Sequence, residues 1–200
     1  MSRDKSKAQW REITRLYGRD MVASSARLAQ LHVADHPKRA IAWLYYGASL
    51  GQMSRYPEAI SALRRAIRLF PAAHRALALV YYHFGQLYER KGTLRLAETW
   101  YRRAITSCPS DAGYHIMLGR VLHRAGRLQE AEAVLRRAIR CKEGCHEEAW
   151  LHLGLALVGL ERYSEARKCF RHALDIDANY TEARRALSDV EYVIVQSRNA

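Results

Sequence analysis

Long apolar runs are missing from this chain of 200 residues. Nowhere do about eighteen apolar residues stand together, so no stretch reads as a helix that crosses a bilayer. The amino terminus, MSRDKSKAQWREITRLYGRD, carries basic residues but neither an apolar core nor a small-residue cleavage site, which argues against secretion and predicts a cytoplasmic protein. Cysteine is scarce: Cys108, Cys141, Cys145 and Cys169 are the four, and in that setting they are expected to stay reduced. Cys141, Cys145 and His146 are ligand types that suit zinc, but the CxxC spacing and a fourth ligand are wanting, so no metal is expected. There is no Gly-rich phosphate loop, GxSxG or HExxH, and the nine histidines are scattered. Without convergent titratable groups the chain is expected to be no enzyme and to hold no cofactor.

What is present is helical patterning. Hydrophobic residues make up 49% and charged residues 26%, ordinary for a helical protein able to bury a substantial core. In Ala78 to Asp111, Tyr81, Phe84, Gly85 and Tyr88 fall on one helical stripe, and Ala97, Tyr101 and Ala104 on a second that faces it. Gly92 stands where the first helix must stop, because a residue without Cβ enters the left-handed conformation cheaply, and Pro109 closes the second. The unit is a helical hairpin.

The hairpin recurs. Gly47, Gly85, Gly119 and Gly154 align, with Trp43, Tyr81, His115 and Trp150 four residues before them and Tyr46, Phe84, Leu118 and Leu153 just before. Ala59, Ala97, Ala131 and Ala166 recur in the second helix, followed by Leu63, Tyr101, Leu135 and Phe170 and then by Ala66, Ala104, Ala138 and Ala173. A small residue lets two helices approach, and the large one opposite fills the space beside it. The pattern resembles the tetratricopeptide repeat. It departs where Glu143 and Ala178 stand in place of the closing proline seen at Pro71 and Pro109, and where His115 replaces a large apolar residue. The resemblance implies an all-α, right-handed superhelical solenoid of helix-turn-helix repeats with terminal capping helices. Its parts are a degenerate hairpin at 1–39, four repeats at 40–73, 78–111, 112–145 and 147–180, and a capping helix at 181–200.

Outside the repeats, residues 1–9 read as frayed, Trp10, Ile13, Leu16 and Tyr17 as one helical face, and a second helix as running from about Asp20 to His36. The extra residues His74 to Leu77 predict one added turn on the following helix, and Gly144 a helix end. In the last helix Ala183, Ala186, Leu187, Val190, Val193 and Ile194 share a face, but Tyr192 to Val195 are consecutive and cannot all face one side, which leaves room for self-association there.

The net charge of +13 is uneven: residues 1–140 hold 25 Lys/Arg against 10 Asp/Glu, and residues 141–200 hold 8 against 10. Much of the excess is a ladder on the second helices, Arg64-Arg65, Arg102-Arg103, Arg136-Arg137 and Arg171-His172. In the family this face is convex and solvated. A basic scaffold docking RNA or an anionic membrane through it is the alternative reading; no aromatics alternate with the arginines, which weighs against nucleic acid.

By the same resemblance, first helices line a concave groove. Its positions are Leu44, Ala48 and Gln52 in the first copy, Tyr82, Gln86 and Arg90 in the second, Ile116, Arg120, His123 and Arg124 in the third, and Leu151, Leu155 and Val158 in the fourth. That surface reads apolar, basic, apolar, and fits an acidic partner segment with apolar anchors. The implied function is a noncatalytic adaptor or assembly chaperone. The clamp with which some tetratricopeptide domains grip the acidic tails of heat-shock chaperones is not matched, since Leu44, Ala48, His83, Gly113 and Met117 occupy its positions.

Overall fold

The computed structural model describes residues 3–19, 21–72 and 74–199, with the side chains of 3–7, 9, 10, 198 and 199 excluded. Among the described residues there are eleven α-helices and no strand. Two compact units divide the chain at Thr93 and Leu94, within the second repeat read from the sequence. The first holds α1 (Arg3–Gly18), α2 (Val22–Asp35), α3 (Ala40–Gln52), α4 (Tyr56–Leu69) and α5 (Ala76–Arg90). The second holds α6 (Leu94–Ser107), α7 (Ala112–Arg124), α8 (Leu128–Ala138), α9 (His146–Gly159), α10 (Tyr163–Ile176) and α11 (Thr181–Asn199).

In the first unit α3 packs on both α2 and α4, and α5 lies against α3 and α4. In the second, α7 pairs with α8 and α9 with α10, while α8 also meets α9 and α11 closes on α10. Three hairpins, α3–α4, α7–α8 and α9–α10, are each set by one glycine. A Cβ on Gly47 would stand 2.8 Å from Leu63 Cγ, one on Gly119 2.5 Å from Leu135 Cγ, and one on Gly154 2.3 Å from Phe170 Cε1. All three partners are fully buried, so the missing side chain is the space into which the opposite helix packs.

The turns share one geometry. Ser54, Gly92, Gly126 and Glu161 have φ of 61°, 75°, 74° and 60°. The next amide returns each time to a carbonyl five residues back: Arg55 to Leu50, Thr93 to Tyr88, Arg127 to Leu122, and Arg162 to Leu157. This is the left-handed helix stop, at about 1–2 kcal/mol for the two positions without glycine. It has an electrostatic consequence. The residue thrown out by the turn is an arginine in three cases, and each reaches the glutamate three residues on: Arg55 to Glu58, Arg127 to Glu130 at 2.6 Å, Arg162 to Glu165 at 2.7 Å. Arg127 also holds Glu98 of α6 at 2.6 Å, and Arg162 holds Glu132 of α8 at 2.7 Å. The turn of one hairpin is thus clasped to the second helix before it.

Several boundaries differ from expectation. Helix α1 begins at Arg3, inside the segment 1–9 read as frayed; the Trp10 side chain and Asp20 lie outside the described residues. The extra residues before α5 do not add a projecting turn. The helix starts at Ala76, and Leu77 is buried, because an apolar side chain there is more stable in the core than in water. Gly144 does not end a helix. Helix α8 stops at Ala138, and Gly144, at φ 112°, sits where a Cβ would come within 2.9 Å of Ala112 Cβ. Beside it, Glu143 N–H donates to Ser110 O (3.3 Å) and Ala112 N–H donates to Glu143 O (2.8 Å), stitching the loop to the head of α7. In α11, Ala183 and Val190 are buried, whereas Tyr192 is 67% exposed and Val193 and Val195 also face outward. No helix among the described residues is long and apolar enough to cross a membrane.

Candidate functional site

In the first unit the face made by α1, α3 and α5 carries three half-buried tyrosines, Tyr17, Tyr45 and Tyr82. Tyr17 meets Tyr45 edge-on at 5.4 Å between ring centres and His83 at 5.9 Å, and His83 meets Tyr82 at 5.2 Å. Amides fix the rings. Gln52 Nε2 donates to the Tyr17 hydroxyl at 2.9 Å, and Gln86 Nε2 donates to the Tyr82 hydroxyl at 2.7 Å. Gln86 Oε1 then lies 3.1 Å from His83 Nδ1, which assigns the ring proton to that nitrogen. A cavity of about 10 Å³ lies between Gln52, His83, Gln86 and Arg90. Arg90, exposed at the end of α5, is near enough to act on the Tyr17 phenol. Burial keeps that phenol protonated well above the usual range and raises the Tyr45 phenol in the same direction.

His83 is 7% exposed, and burial lowers its pKa from 6.5 to about 4 against the opposing hydrogen bond from Gln86. An unfolded chain therefore binds more protons than the folded one between those values, so stability is complete above pH 6.5 and is lost as pH falls toward 4. Burial acts in the same direction on His32 and His115. The His83→Gln chain should show a flatter fall of the urea midpoint across this window than the parent. An unchanged slope would assign the acid sensitivity to other groups.

In the second unit, α7 and α9 carry Arg120, His123 and Leu155 partly exposed, with Arg124 exposed. This face is not purely basic. Glu148 on α9 has its carboxyl held below the usual range, first by His152, whose Nε2 lies 3.7 Å away, and further by the charge of Arg120.

Of the thirteen groove positions taken from the repeat register, four are corrected. Leu44 and Ile116 are 0% exposed, Ala48 4% and Leu151 5%, so they pack between helices and present nothing to a partner. Gln52, Tyr82, Gln86 and Arg90 stand in the first unit; Arg120, His123, Arg124, Leu155 and Val158 stand in the second. Tyr17, Tyr45 and His83 join the first group and Glu148 and His152 the second. Tyr45, His83 and His152 share one repeat position, which was the available signal.

The arginine ladder is partly closed. Arg102 pairs with Glu98 at 2.9 Å, Arg136 with Glu132 at 2.9 Å, and Arg171 with Glu191 at 2.8 Å, while Arg103 lies over the Trp100 ring at 4.6 Å. The four cysteines are free thiols. Cys141 Sγ faces the carbonyls of Pro109 and Arg137 at 3.7 and 3.4 Å, and the His146 ring engages the Cys141 carbonyl at 2.8 Å. Burial pushes both the Cys141 and Cys145 thiols up, away from the thiolate a metal needs.

Three family models, each describing the tetratricopeptide repeat, match residues 39–110, 85–144 and 147–180. Tetratricopeptide repeat protein 7B of Homo sapiens is 31% identical over 146 residues, which are 72% of this chain and 17% of that protein; the chain thus spans a small part of the relative it matches. Among solved structures, TTC0263 of Thermus thermophilus, a thermophilic TPR protein, superposes with a TM-score of 0.72 at 17% identity, covering 94% of this chain and 99% of that one. YrrB, described as a TPR protein with an unusual peptide-binding site, gives 0.63 at 18% identity over 87% of each chain. At such identities the structures speak for the fold alone. With the family models covering the stretches in which Gly47, Gly119 and Gly154 each receive a large side chain, the chain belongs to the tetratricopeptide repeat family.

Proposed function

We propose that this chain is a noncatalytic, cytoplasmic adaptor or assembly chaperone that holds an acidic partner segment, anchored by apolar side chains, on its first-helix faces. The coarser part of this is common to the fold: a tetratricopeptide array is a scaffold for protein contacts, and peptide binding is described for YrrB. The observation that carries the finer part is the tyrosine and glutamine face of the first unit. Tyr17, Tyr45 and Tyr82 offer large, rigid, amphipathic area whose rotamers are already restrained by Gln52, Gln86 and His83, so little entropy is lost when a segment docks. Arg90 at the edge supplies the charge that selects an acidic segment. The anchors on the partner are aliphatic or aromatic, since they must fill space between tyrosine rings.

A peptide library bound to the intact chain tests this. Enriched sequences should combine Asp or Glu with an aromatic or aliphatic residue, and Tyr82→Ala should weaken the selected peptides at least about tenfold, as loss of an aromatic anchor does. Enrichment of basic peptides, or capture of RNA with no peptide retained, would overturn the reading and favour the arginine-rich second helices.

A further inference from the structure

A cleft of about 540 Å³ opens in the second unit where the end of α6, the first turn of α7 and the end of α8 meet. Ile105 and Pro109 form an apolar wall, and Arg137, Arg140 and Lys142 supply three cations. We propose that this cleft binds a phosphate monoester, the three cations taking the phosphate oxygens and the wall taking the organic body. The site is independent of the first-helix faces.

The charges are not neutralised from within the fold. Arg136, one residue before Arg137, is closed by Glu132 at 2.9 Å and Glu165 at 3.6 Å. Among the described residues no carboxylate lies within ion-pair distance of Arg137 or Lys142, and Arg140 uses only its Nε, on the Arg136 carbonyl at 3.0 Å. Asp111, whose charge reaches His115 and Cys141 on the cleft wall, accepts the Gly113 N–H at 2.9 Å and caps α7. His115, whose Nε2 lies 3.2 Å from the Pro109 carbonyl, has its charged form disfavoured first by burial and further by the charge of Arg137, against the Pro109 carbonyl and Asp111, which favour it. Arginines in the last turn of a helix also suit its dipole, but that accounts neither for Lys142, which follows the helix, nor for a cavity.

Size and charge choose the ligand. The volume lies within the range of about 300–1,000 Å³ typical of small-molecule sites, too large for a bare ion. Three cations exceed what one carboxylate neutralises and match a phosphate, whose oxygens also suit the guanidinium fork. At the place of Arg137 the preceding repeat has Arg103, which is occupied on Trp100.

The test uses the intact chain, labelled for amide shifts, titrated with phenyl phosphate at near-physiological salt. Saturable shifts centred on His115 and residues 137–142 are expected, with a Kd below about 1 mM. Phenol should bind at least about tenfold more weakly, as should phenyl phosphate to Arg137→Glu/Lys142→Glu. Should that variant fail to fold, Lys142→Gln, at an exposed loop position, should still lose about threefold. A phosphoserine peptide that binds tighter than phenyl phosphate would place the ester on a partner protein; one that binds more weakly would place it on a free small molecule. Equal binding of phenol, unaltered binding by the charge variants, or shifts elsewhere in the chain would overturn the proposal.

Discussion

Gly154→Ala is expected to lower the urea midpoint of this protein, although alanine is the best helix former and would by propensity alone add about 1 kcal/mol. The new methyl would stand 2.3 Å from Phe170 Cε1 and 2.7 Å from Cδ1, inside any tolerable contact. Phe170 is fully buried, and its flat ring has no flexible end to fold away. Overpacking of this kind costs about 1–3 kcal/mol, more than the propensity gain. Gly119→Ala meets Leu135 Cγ at 2.5 Å and should cost somewhat less, since a leucine has rotamers to try, and Gly47→Ala meets Leu63 Cγ at 2.8 Å and should cost least. Gly119→Leu, with three further carbons, should exceed all of them. Gly126→Ala serves as the contrast. Nothing lies within 4 Å of its missing Cβ, and only the positive φ of 74° is strained, which puts its effect at about 1–2 kcal/mol. A Gly154→Ala chain as stable as the parent would refute the packing account of the repeat.

That packing account is also why the fold was legible. A glycine, an alanine and a large residue at fixed spacing state a helix-to-helix distance, and four copies of the statement leave little else to build. The turns were half legible: Gly92 announces a left-handed stop, but Ser54 and Glu161 adopt the same conformation with nothing in their identity to say so. The candidate site was less so, because one step along a helix turns a side chain by about 100°. Leu44, Ile116 and Leu151 sit at the edge between groove and interior, and the interior takes them because burying an aliphatic side chain is worth about 1.5–3 kcal/mol. Tyr17 was out of reach for another reason. It belongs to a hairpin without the repeat signature, so no register could align it with Tyr45 and Tyr82. The arginine ladder looked more open in the sequence than it is, because the glutamates that close it stand one turn back on the same helices, Glu98 before Arg102 and Glu132 before Arg136.

Reversing the exposed charges at the ends of the first helices should separate the two faces. Arg90→Glu tests the first unit and Arg124→Glu the second, and the double variant is expected to lose at least about tenfold in affinity for an acidic segment, chiefly through slower association. Like charges then face each other across the contact, which costs more than removing the arginine. Helicity and melting should be retained, because both residues are exposed. Arg120→Glu is a poorer probe. Its new carboxylate would approach Glu148, whose own carboxyl Arg120 helps to keep ionised, so stability at neutral pH would fall along with binding. Arg64→Glu with Arg65→Glu, exposed on α4, provides the matching change on a second helix and should leave binding within about twofold. If the α4 reversals abolish binding while Arg90→Glu and Arg124→Glu are tolerated, the partner docks on the second helices, and the tyrosine face of the first unit is packing alone.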